Sequence, residues 1–531
     1  MSESTEQSTS PRPAGTNPSR RAAVGGVVGA LGVAGAATAA PAAAAPRPGG
    51  RGRGRGRTKG DGPLWSWSAA ELAEEISRGR ISSREATESA LERMNEVNPK
   101  INAIAEELHD EALRAADRAD HARRGRGRKE LGVLHGVPVT TKINVDLKGH
   151  PTTNGVVAFK DAVAAHDSSA VANLRSAGAV IIGRTNTPAF SFRWFTDNDL
   201  HGRTLNPWDA RITPGGSSGG AGAAVAAGIG AIGHGSDIAG SVRYPAWANG
   251  VAGIRPTVGR VPNVNPSGTA GRTLTSQIMS TQGLLARRVG DLRMSMEAFS
   301  AKDVRDSWWS PTPEHPKRRG PLRVGIVREA DGMPASAVDR LCRTALDRAA
   351  SALKGAGHRV EDITLPDFTE LSDLWSPLVL SEAKAGFLPA IEKYGDDAIK
   401  TALRTWLAIT DDLALAEFSA GLGRRDQIVG SWRVMLQTFD VIITPVSWDR
   451  QFPVDHDQQG EDVFRQIIKA QAPMLTMALA GLPGLSVPTG PVDGIPTGVQ
   501  IVSERFREDL CFDAGEAIED RWSPETPIDP W

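Results

Sequence analysis

The chain is poor in cysteine and tyrosine and carries almost no net charge. Its 531 residues include two cysteines and two tyrosines, and the formal net charge is −1. Cys342 and Cys511 each stand among apolar residues, so we predict buried thiols rather than a disulfide or a nucleophile. A near-neutral chain creates no long-range field that attracts nucleic acid, and we expect no nucleic-acid partner.

The spacings that bind metals are also missing. The ten histidines form no HxH or HExxH pair, and the chain has no CxxC, so no metal site is expected. The glycine-rich segments lack the Gly-Lys-Ser/Thr ending of a phosphate-binding loop. The sequence therefore predicts neither a metal nor a nucleotide, and no cofactor is expected.

Residues 1–45 look like an export signal. Arg20 and Arg21 precede an Ala/Gly/Val-rich stretch over about residues 22–37, and small residues at 42–45 offer cleavage sites. This order is typical of a twin-arginine signal and predicts a secreted or cell-envelope protein. The stretch is too short and too glycine-rich to anchor in a bilayer, so no transmembrane segment is expected in the mature chain. A disordered Ala-rich tail is the alternative.

After this signal, an Arg/Gly-rich segment at 46–62 predicts a flexible linker. Ser68 with Glu71, and Ser82 with Glu85, have the spacing of capping boxes and predict two helix starts. Pro99 is expected after the end of the second helix. A third helix is predicted over about 106–122.

From residue 131 onward, short apolar segments alternate with helical ones. Predicted strands lie at 133–141, 179–183, 324–327, 441–444 and 499–502, and predicted helices at 169–176, 221–227 and 336–353. This alternation predicts an α/β fold in which helices flank a central mixed sheet. Residues of about 300–435 are the least patterned and predict a cap or substrate-specificity region.

Two serines stand in glycine-rich loops. Ser217 lies in residues 213–220 and Ser241 in residues 235–243, while Lys142 follows an apolar strand. Glycine permits the close backbone approach that such loops need. A hydroxyl becomes a nucleophile when a base takes its proton, and a lysine kept neutral by burial can be that base.

Four segments around these residues resemble the amidase signature family. They are residues 136–146, 206–220, 236–245 and 249–257. Residues 440–445 and 480–488 resemble the C-terminal elements of the family. The resemblance covers roughly residues 65–520, and it implies an amidase domain over 63–525 with the family's layered α/β fold.

The resemblance also implies a role for each residue of the trio. Ser241 is the nucleophile, Ser217 the bridging serine and Lys142 the ultimate base. In the family the bridging serine follows a cis peptide bond, here Gly216–Ser217. The base has to be neutral, so burial is expected to lower the pKa of Lys142.

By the same resemblance, the backbone N–H groups of Ile238, Ala239, Gly240 and Ser241 form the oxyanion hole. Many members of the family have glycine at the position of Ala239. Because alanine keeps the N–H group, we expect a preserved hole with a slightly narrower mouth.

Neighbouring residues are expected to support this site. Asp237 is predicted to be a structural partner of Arg243 or of the loop amides, and Ser218 to support the network by hydrogen bonding. Residues 190–198 look like a border of the acyl pocket. Phe192, Trp194 and Phe195 are its candidate lining, although aromatic residues at this spacing are also typical of a core.

The leading hypothesis is an exported serine amidohydrolase that acts on a small carboxamide without a cofactor. Ser218 also satisfies the GxSxG pattern of α/β-hydrolases, but no strand precedes it. Two further alternatives are an ammonia-releasing component of an amidotransferase, against which the export signal argues, and a secreted binding protein without activity. The sequence leaves open the amide substrate and the oligomeric state, a homodimer being one option.

Overall fold

The computed structural model describes residues 62–125, 130–268, 271–313, 315, 320–329, 338–523 and 525–531. They fall within one compact unit, Thr58–Trp531. The predicted signal at 1–45, and all of the predicted linker except Gly62, lie outside the described residues. Both therefore stay predictions.

An eleven-stranded mixed sheet forms the centre of the described chain, in agreement with the predicted fold class. Its strand order is β1-β3-β2-β4-β6-β5-β10-β11-β9-β7-β8. The strands are β1 Ile104–Glu107, β2 Pro138–Lys142, β3 Val180–Thr185, β4 Ile232–Asp237, β5 Ala252–Arg255, β6 Thr281–Ala286, β7 Arg323–Val327, β8 Arg359–Ile363, β9 Val441–Pro445, β10 Gly484–Pro488 and β11 Gly498–Val502.

Parallel and antiparallel pairs divide this sheet into regions. Strand β2 runs parallel to β3 and β4, and β7 runs parallel to β8 and β9. The remaining neighbours are antiparallel. Because β2 and β4 are parallel neighbours, their carboxyl ends meet at the same edge of the sheet.

Helices account for most of the remaining regular structure. They are α1 Ala69–Arg78, α2 Ser83–Ile101, α3 His109–Gly125, α4 Ser169–Ser176, α5 Gly219–Ala226, α6 Arg243–Ala248, α7 Leu274–Met279, α8 Val289–Phe299, α9 Arg340–Gly355, α10 Phe368–Ala385, α11 Leu388–Tyr394, α12 Asp397–Ala408, α13 Leu415–Thr438, α14 Glu461–Ala470, α15 Ala472–Ala480 and α16 Glu508–Arg521.

Helices cover both faces of the sheet, as β10 illustrates. Successive residues of a strand point to opposite faces. Leu485 packs toward Gly515 of α16, while Gly484 approaches Arg243 of α6. The strand is buried along its whole length, as expected for a sheet that is covered on both sides.

The predicted helix starts are confirmed, and two boundaries differ. Ser68 and Ser82 each form a capping box with the glutamate three residues on. Pro99 lies inside α2, which ends at Ile101. The third helix begins at His109, because Glu106 and Glu107 pair with β3 as part of β1. Pairing along the sheet thus overrides the local helical pattern.

The region of about 300–435 is part sheet and part helical layer. Residues 323–363 supply β7, α9 and β8 to the sheet and its cover. Helices α10–α13 follow, and α10 packs against α13 and α15. A specificity role for this region stays a prediction, and the helical layer is the part of it that contributes residues to the site described below.

Candidate active site

Lys142 is the last residue of β2 and lies at the centre of the site. Its side chain has no exposed surface. The Nζ atom donates to the Ser217 Oγ at 2.7 Å and approaches the Ser236 Oγ at 3.4 Å. Ser236 lies near the end of the parallel neighbour β4. The adjacent strand ends therefore bring the lysine and the serine loops together.

Burial lowers the pKa of Lys142 to about 7, because the ammonium form loses its hydration. The charge of Asp237 acts in the opposite direction and raises the pKa. Burial is the larger effect. A substantial fraction of the lysine is therefore neutral near pH 7, as a base requires.

His234 supports the backbone of Lys142, a contact that the sequence pattern did not predict. The ladder between β2 and β4 pairs Val139 with Ile232 and Thr140 with Gly233. Beyond it, the Lys142 N–H donates to the Nδ1 atom of His234 at 3.3 Å. A side chain thus replaces a backbone acceptor where the two strands separate.

The hydrogen bonds of His234 define its tautomer. Since Nδ1 accepts a hydrogen bond, Nε2 carries the proton and donates to the Gln282 Oε1 at 2.8 Å. Burial lowers the pKa of His234 most, the hydrogen bond to Gln282 raises it and the nearby Lys142 charge lowers it, which leaves a pKa of about 4. The imidazole is therefore neutral near pH 7. The available sequence signal was a histidine between the two glycines of β4.

Ser217 follows a cis peptide bond between Gly216 and Ser217. Glycine is required at position 216, because a Cβ atom there would lie 2.5 Å from the Arg193 carbonyl oxygen. Ser217 is buried, and it lines the same cavity as Ser241. Its hydroxyl accepts the lysine hydrogen bond and stands at the base of that cavity.

Ser241 and Ser218 have different surroundings. Ser241 lines the cavity, and its hydroxyl makes no hydrogen bond to any residue that the structure describes, Ser217 included. Ser218 is fully buried, accepts weakly from the Ser236 N–H at 3.4 Å and donates its own N–H to the Ser241 carbonyl. A substrate in the cavity meets Ser241 rather than Ser218, which argues against the α/β-hydrolase alternative.

The loop of residues 238–241 connects β4 to α6. Its Gly240 N–H donates to the Asp237 Oδ1 at 2.8 Å. This N–H therefore already has an acceptor within the loop, and its assignment to the oxyanion hole stays a prediction. Within the described chain, the N–H groups of Ile238, Ala239 and Ser241 donate to no other group. These three remain candidate donors.

The backbone of this loop accommodates alanine at the unusual position. Gly240 has a φ of 101°, a value that favours glycine, and a Cβ atom there would collide with Met474. Ala239 does not adopt a positive φ. The substitution of glycine by alanine therefore needs no unusual conformation at position 239.

A buried cluster of charged residues, Asp237, Arg243 and Arg255, anchors the loop of residues 238–241. Asp237 accepts from the Arg243 Nε at 3.0 Å and from the Val242 N–H at 3.1 Å, and Arg255 approaches it at 3.5 Å. Burial alone would raise the pKa of Asp237, but Arg243 and then Arg255 outweigh it and hold the pKa at about 2. Asp237 is thus an anionic anchor for the loop amides.

The cavity in front of Ser241 measures about 650 Å³. Its apolar wall includes Phe190, Phe192 and Phe387. The rings of Phe192 and Phe387 meet edge to face, and their centroids are 4.9 Å apart. Phe190 has a φ of 59°, which is rare for a bulky residue and turns the chain at the cavity wall. The dimensions suit a small molecule.

The structure places the three predicted pocket residues differently. Phe192 lines the cavity, and Trp194 borders a small recess behind Ser241. Phe195 lies outside both, in contrast to the prediction, because its buried ring stacks on Phe452 in the core. Phe387, from the segment between α10 and α11, was not predicted at all, since no local pattern connects it to the serine loops.

Another part of the cavity lining is polar but uncharged. It contains hydroxyl groups from the start of α7 and the residues around it, namely Thr273, Thr275, Ser276 and Ser280. Asp237 is the one charged residue among the described lining residues, and its charge is already paired with Arg243. The cavity therefore favours an uncharged ligand with an apolar part and a polar part.

Other features of the described chain lie away from this chemistry. A second cavity of about 530 Å³ beside α3 contains Arg114, Arg118 and Arg175 but no serine or lysine. Within the described ranges, no group of three His, Cys, Asp or Glu residues is placed to hold a metal ion. Cys342 and Cys511 are buried free thiols, as predicted.

A helix that crosses a bilayer needs about 20 predominantly apolar residues. None of the helices in the described part of the chain is both long and apolar enough to cross a membrane.

The chain is similar to several known proteins. The chain is 44% identical to an indoleacetamide hydrolase from Bradyrhizobium diazoefficiens over 87% of each protein. It is 32% identical to a glutamyl-tRNA(Gln) amidotransferase subunit from Thermobifida fusca, covering 86% of this chain and 97% of that relative. The solved 6-aminohexanoate cyclic dimer hydrolase bound to its substrate has a TM-score of 0.74 and 28% identity, and covers 88% of this chain and 100% of that one.

A bacterial aryl acylamidase of known structure also has a TM-score of 0.74, with 25% identity over 88% of this chain and 98% of that one. The amidase family model matches residues 85–512. The chain is a serine-type amide hydrolase by these relationships, and it belongs to the amidase signature family.

Proposed function

We propose that the chain cleaves a carboxamide C–N bond through an acyl-enzyme on Ser241. The observation that carries this proposal is the 2.7 Å hydrogen bond between the Ser217 hydroxyl and the fully buried Lys142 amine. A neutral amine in this position can accept a proton, and Ser217 stands between it and the cavity that Ser241 lines.

In the proposed reaction, the Ser241 oxygen attacks the carbonyl carbon and its proton passes to Ser217, whose own proton passes to Lys142. The N–H groups of Ile238, Ala239 and Ser241 are the candidate donors to the oxyanion. The C–N bond then breaks, and the amine leaves with the proton that returns through Ser217. Water attacks the resulting ester by the same relay, which releases the acid and restores Ser241.

We further propose that the acyl group is aromatic and uncharged. The aromatic rings of the apolar wall support this choice, and so does the absence of an unpaired charge among the described lining residues. The names of the relatives point in the same direction, since two indoleacetamide hydrolases are 44% and 42% identical to this chain. An arylacetamide would place its ring against Phe192 and Phe387.

An ammonia supplier to an amidotransferase is the second candidate, because amidotransferase subunits also occur among the relatives. Such a protein would have to bind the glutamine ammonium and carboxylate groups. The cavity offers no unpaired charge from a described residue for either of them. This contrast favours the aromatic amide.

An ammonia-release assay tests both candidates. Purified protein is incubated with indole-3-acetamide, phenylacetamide, acetamide and glutamine. We expect the highest kcat/KM for the two aromatic amides and a loss of at least about 10³-fold in Ser241→Ala, because the nucleophile is removed. The Ser218→Ala variant is the comparison that separates the two serines. Turnover retained by Ser241→Ala would overturn the proposed mechanism, and a preference for glutamine would favour the amidotransferase alternative.

The same chain is proposed to be exported, because Arg20 and Arg21 precede an apolar stretch with small residues after it. Expression in a bacterial host followed by fractionation tests this proposal. We expect the protein in the medium or the envelope, and its retention in the cytoplasm when both arginines are replaced by lysine. If the wild-type protein and the double lysine variant are distributed equally between the cytoplasm and the exported fractions, twin-arginine export is contradicted.

A further inference from the structure

Two buried tryptophans donate hydrogen bonds to the loop of residues 238–241. The Trp375 Nε1 donates to the Ile238 carbonyl at 3.1 Å, and the Trp194 Nε1 donates to the Ala239 carbonyl at 2.9 Å. The two indoles come from distant parts of the chain, one from α10 and one from the segment before Ser217. They meet on consecutive peptide units of the same loop.

These bonds restrict the direction of the N–H groups of the loop. In a trans peptide the carbonyl oxygen and the following N–H point in opposite directions within one plane. Trp375 holds the Ile238 oxygen and thereby sets the direction of the Ala239 N–H. Trp194 holds the Ala239 oxygen, and the N–H of the same peptide unit, that of Gly240, donates to Asp237 on the other side.

We propose that Trp375 and Trp194 are positioning residues for the oxyanion hole. Trp375 keeps the Ala239 N–H directed away from the indole layer and available to a carbonyl oxygen of the substrate. Trp194 and Asp237 hold the next peptide plane from its two ends and prevent it from rotating. The proposal rests on the proposed function, since it needs an oxyanion to form in front of Ser241.

A third tryptophan connects both indoles to the cavity wall. The Trp406 ring lies 5.3 Å from Trp375 in a stacked arrangement and 5.2 Å from Trp194. Phe192, which lines the cavity, lies 5.7 Å from Trp406. The oxyanion loop and the apolar wall therefore share one aromatic layer, so a change in packing at the wall reaches the loop through direct contacts.

A purely structural explanation has to be separated from this role. Buried indole N–H groups need an acceptor wherever they lie. Trp432 provides the matched case, because its Nε1 donates to the Pro366 carbonyl at 2.7 Å, it is equally buried, and it lies away from the cavity. Replacing each tryptophan by phenylalanine removes the N–H group and keeps an aromatic ring.

The test compares Trp375→Phe, Trp194→Phe and Trp432→Phe with phenylacetamide as substrate. One well-aligned oxyanion donor is worth roughly 10²–10³ in rate, so misdirection of the Ala239 N–H should lower kcat by about tenfold in Trp375→Phe. Trp194→Phe loosens the adjoining peptide unit of the same loop and should lower kcat in the same direction. KM should change by less than about twofold, because the ground-state carbonyl depends less on the hole. Trp432→Phe should retain the wild-type kcat.

Inhibitor binding gives a second readout that a general loss of stability does not move. Phenylboronic acid forms a tetrahedral adduct with a serine, whereas the product phenylacetate does not. We expect the inhibition constant of the boronic acid to rise in parallel with the loss of kcat in Trp375→Phe, while that of phenylacetate stays unchanged. Melting temperatures of the three variants show whether their folds are equally intact.

The outcomes separate the two proposals. If the wild-type protein turns over phenylacetamide and both loop variants behave like Trp432→Phe, the positioning role is overturned. If both loop variants lose kcat and boronic-acid affinity together, it is supported. A wild-type protein that hydrolyses no amide, with Ser241→Ala indistinguishable from it, would overturn the proposed function and the positioning role with it.

Discussion

The two sides of the cavity are built in different ways. The side that carries Lys142, Ser217 and Ser241 comes from strand ends and glycine-rich loops within about a hundred residues of sequence. The helical part of the apolar wall, with Val379 in α10 and Phe387 just after that helix, comes from a segment more than a hundred residues later. Reactive groups are held by the sheet, and the wall is held by helix packing.

This difference follows from what each side has to do. Proton transfer needs heavy atoms within about 3 Å of each other, so the lysine and the serines are fixed by strands, close backbone contacts and a buried ion cluster. Binding an apolar group needs volume and apolar surface, which many residues can supply. The catalytic side therefore tolerates little change, whereas the wall can vary with the substrate.

Truncation of the wall is the strongest test of this comparison. Phe387→Ala removes a ring that lines the cavity and whose centroid lies 4.9 Å from that of the Phe192 ring. Lost apolar contacts are worth about 1–3 kcal/mol, so we expect kcat/KM for phenylacetamide to fall by roughly 10–100-fold. For acetamide, which does not reach the wall, kcat/KM should change by less than about threefold. Rates of ammonia release measure both values.

Phe418→Ala is the matched control for this prediction. Phe418 lies in α13, is half-buried like Phe387, and does not line the cavity. It should leave both substrates unaffected apart from a loss of stability. An equal loss of kcat/KM for phenylacetamide and acetamide in Phe387→Ala would contradict the proposed difference between the catalytic side and the wall. The wall would then affect the reaction itself and not only the binding of the apolar group.

Most residues of the catalytic side could be predicted from the sequence. Lys142, Ser217, Ser241 and Asp237 were predicted because glycine-rich loops, a strand end and a family resemblance mark them locally. Asp237 was expected to bind Arg243 or the loop amides, but the sequence did not show that the Gly240 N–H is the amide that donates to its Oδ1 atom. His234 was missed because a histidine between two glycines of a strand does not show which backbone group it will contact.

Far fewer residues of the apolar wall, and of the residues that hold the loop of residues 238–241, could be predicted from the sequence. Phe387 and Trp375 reach the site only through the packing of α10 on α15 and on its neighbours. Trp194 was expected to line the pocket, but its ring borders a recess and its N–H faces a carbonyl of the loop. Such contacts depend on tertiary packing, which local propensity does not determine.

The pH dependence of the rate concerns the catalytic side alone. Burial lowers the pKa of Lys142 to about 7, and the base has to be neutral, so kcat/KM should fall about tenfold for each pH unit below that value and level off above it. The pKa values of about 4 for His234 and about 2 for Asp237 lie too low to produce this change.

The free energy of unfolding should also depend on pH through the protonation of Lys142. The pKa of Lys142 is lower in the folded than in the unfolded chain, so the unfolded chain binds more protons between about pH 7 and pH 10, and the free energy of unfolding increases as the pH rises through this window. Lys142→Met should lack this contribution while it abolishes the rate. A rate that stays flat from about pH 6 to pH 8 in a folded protein would show that the lysine is not the titrating base.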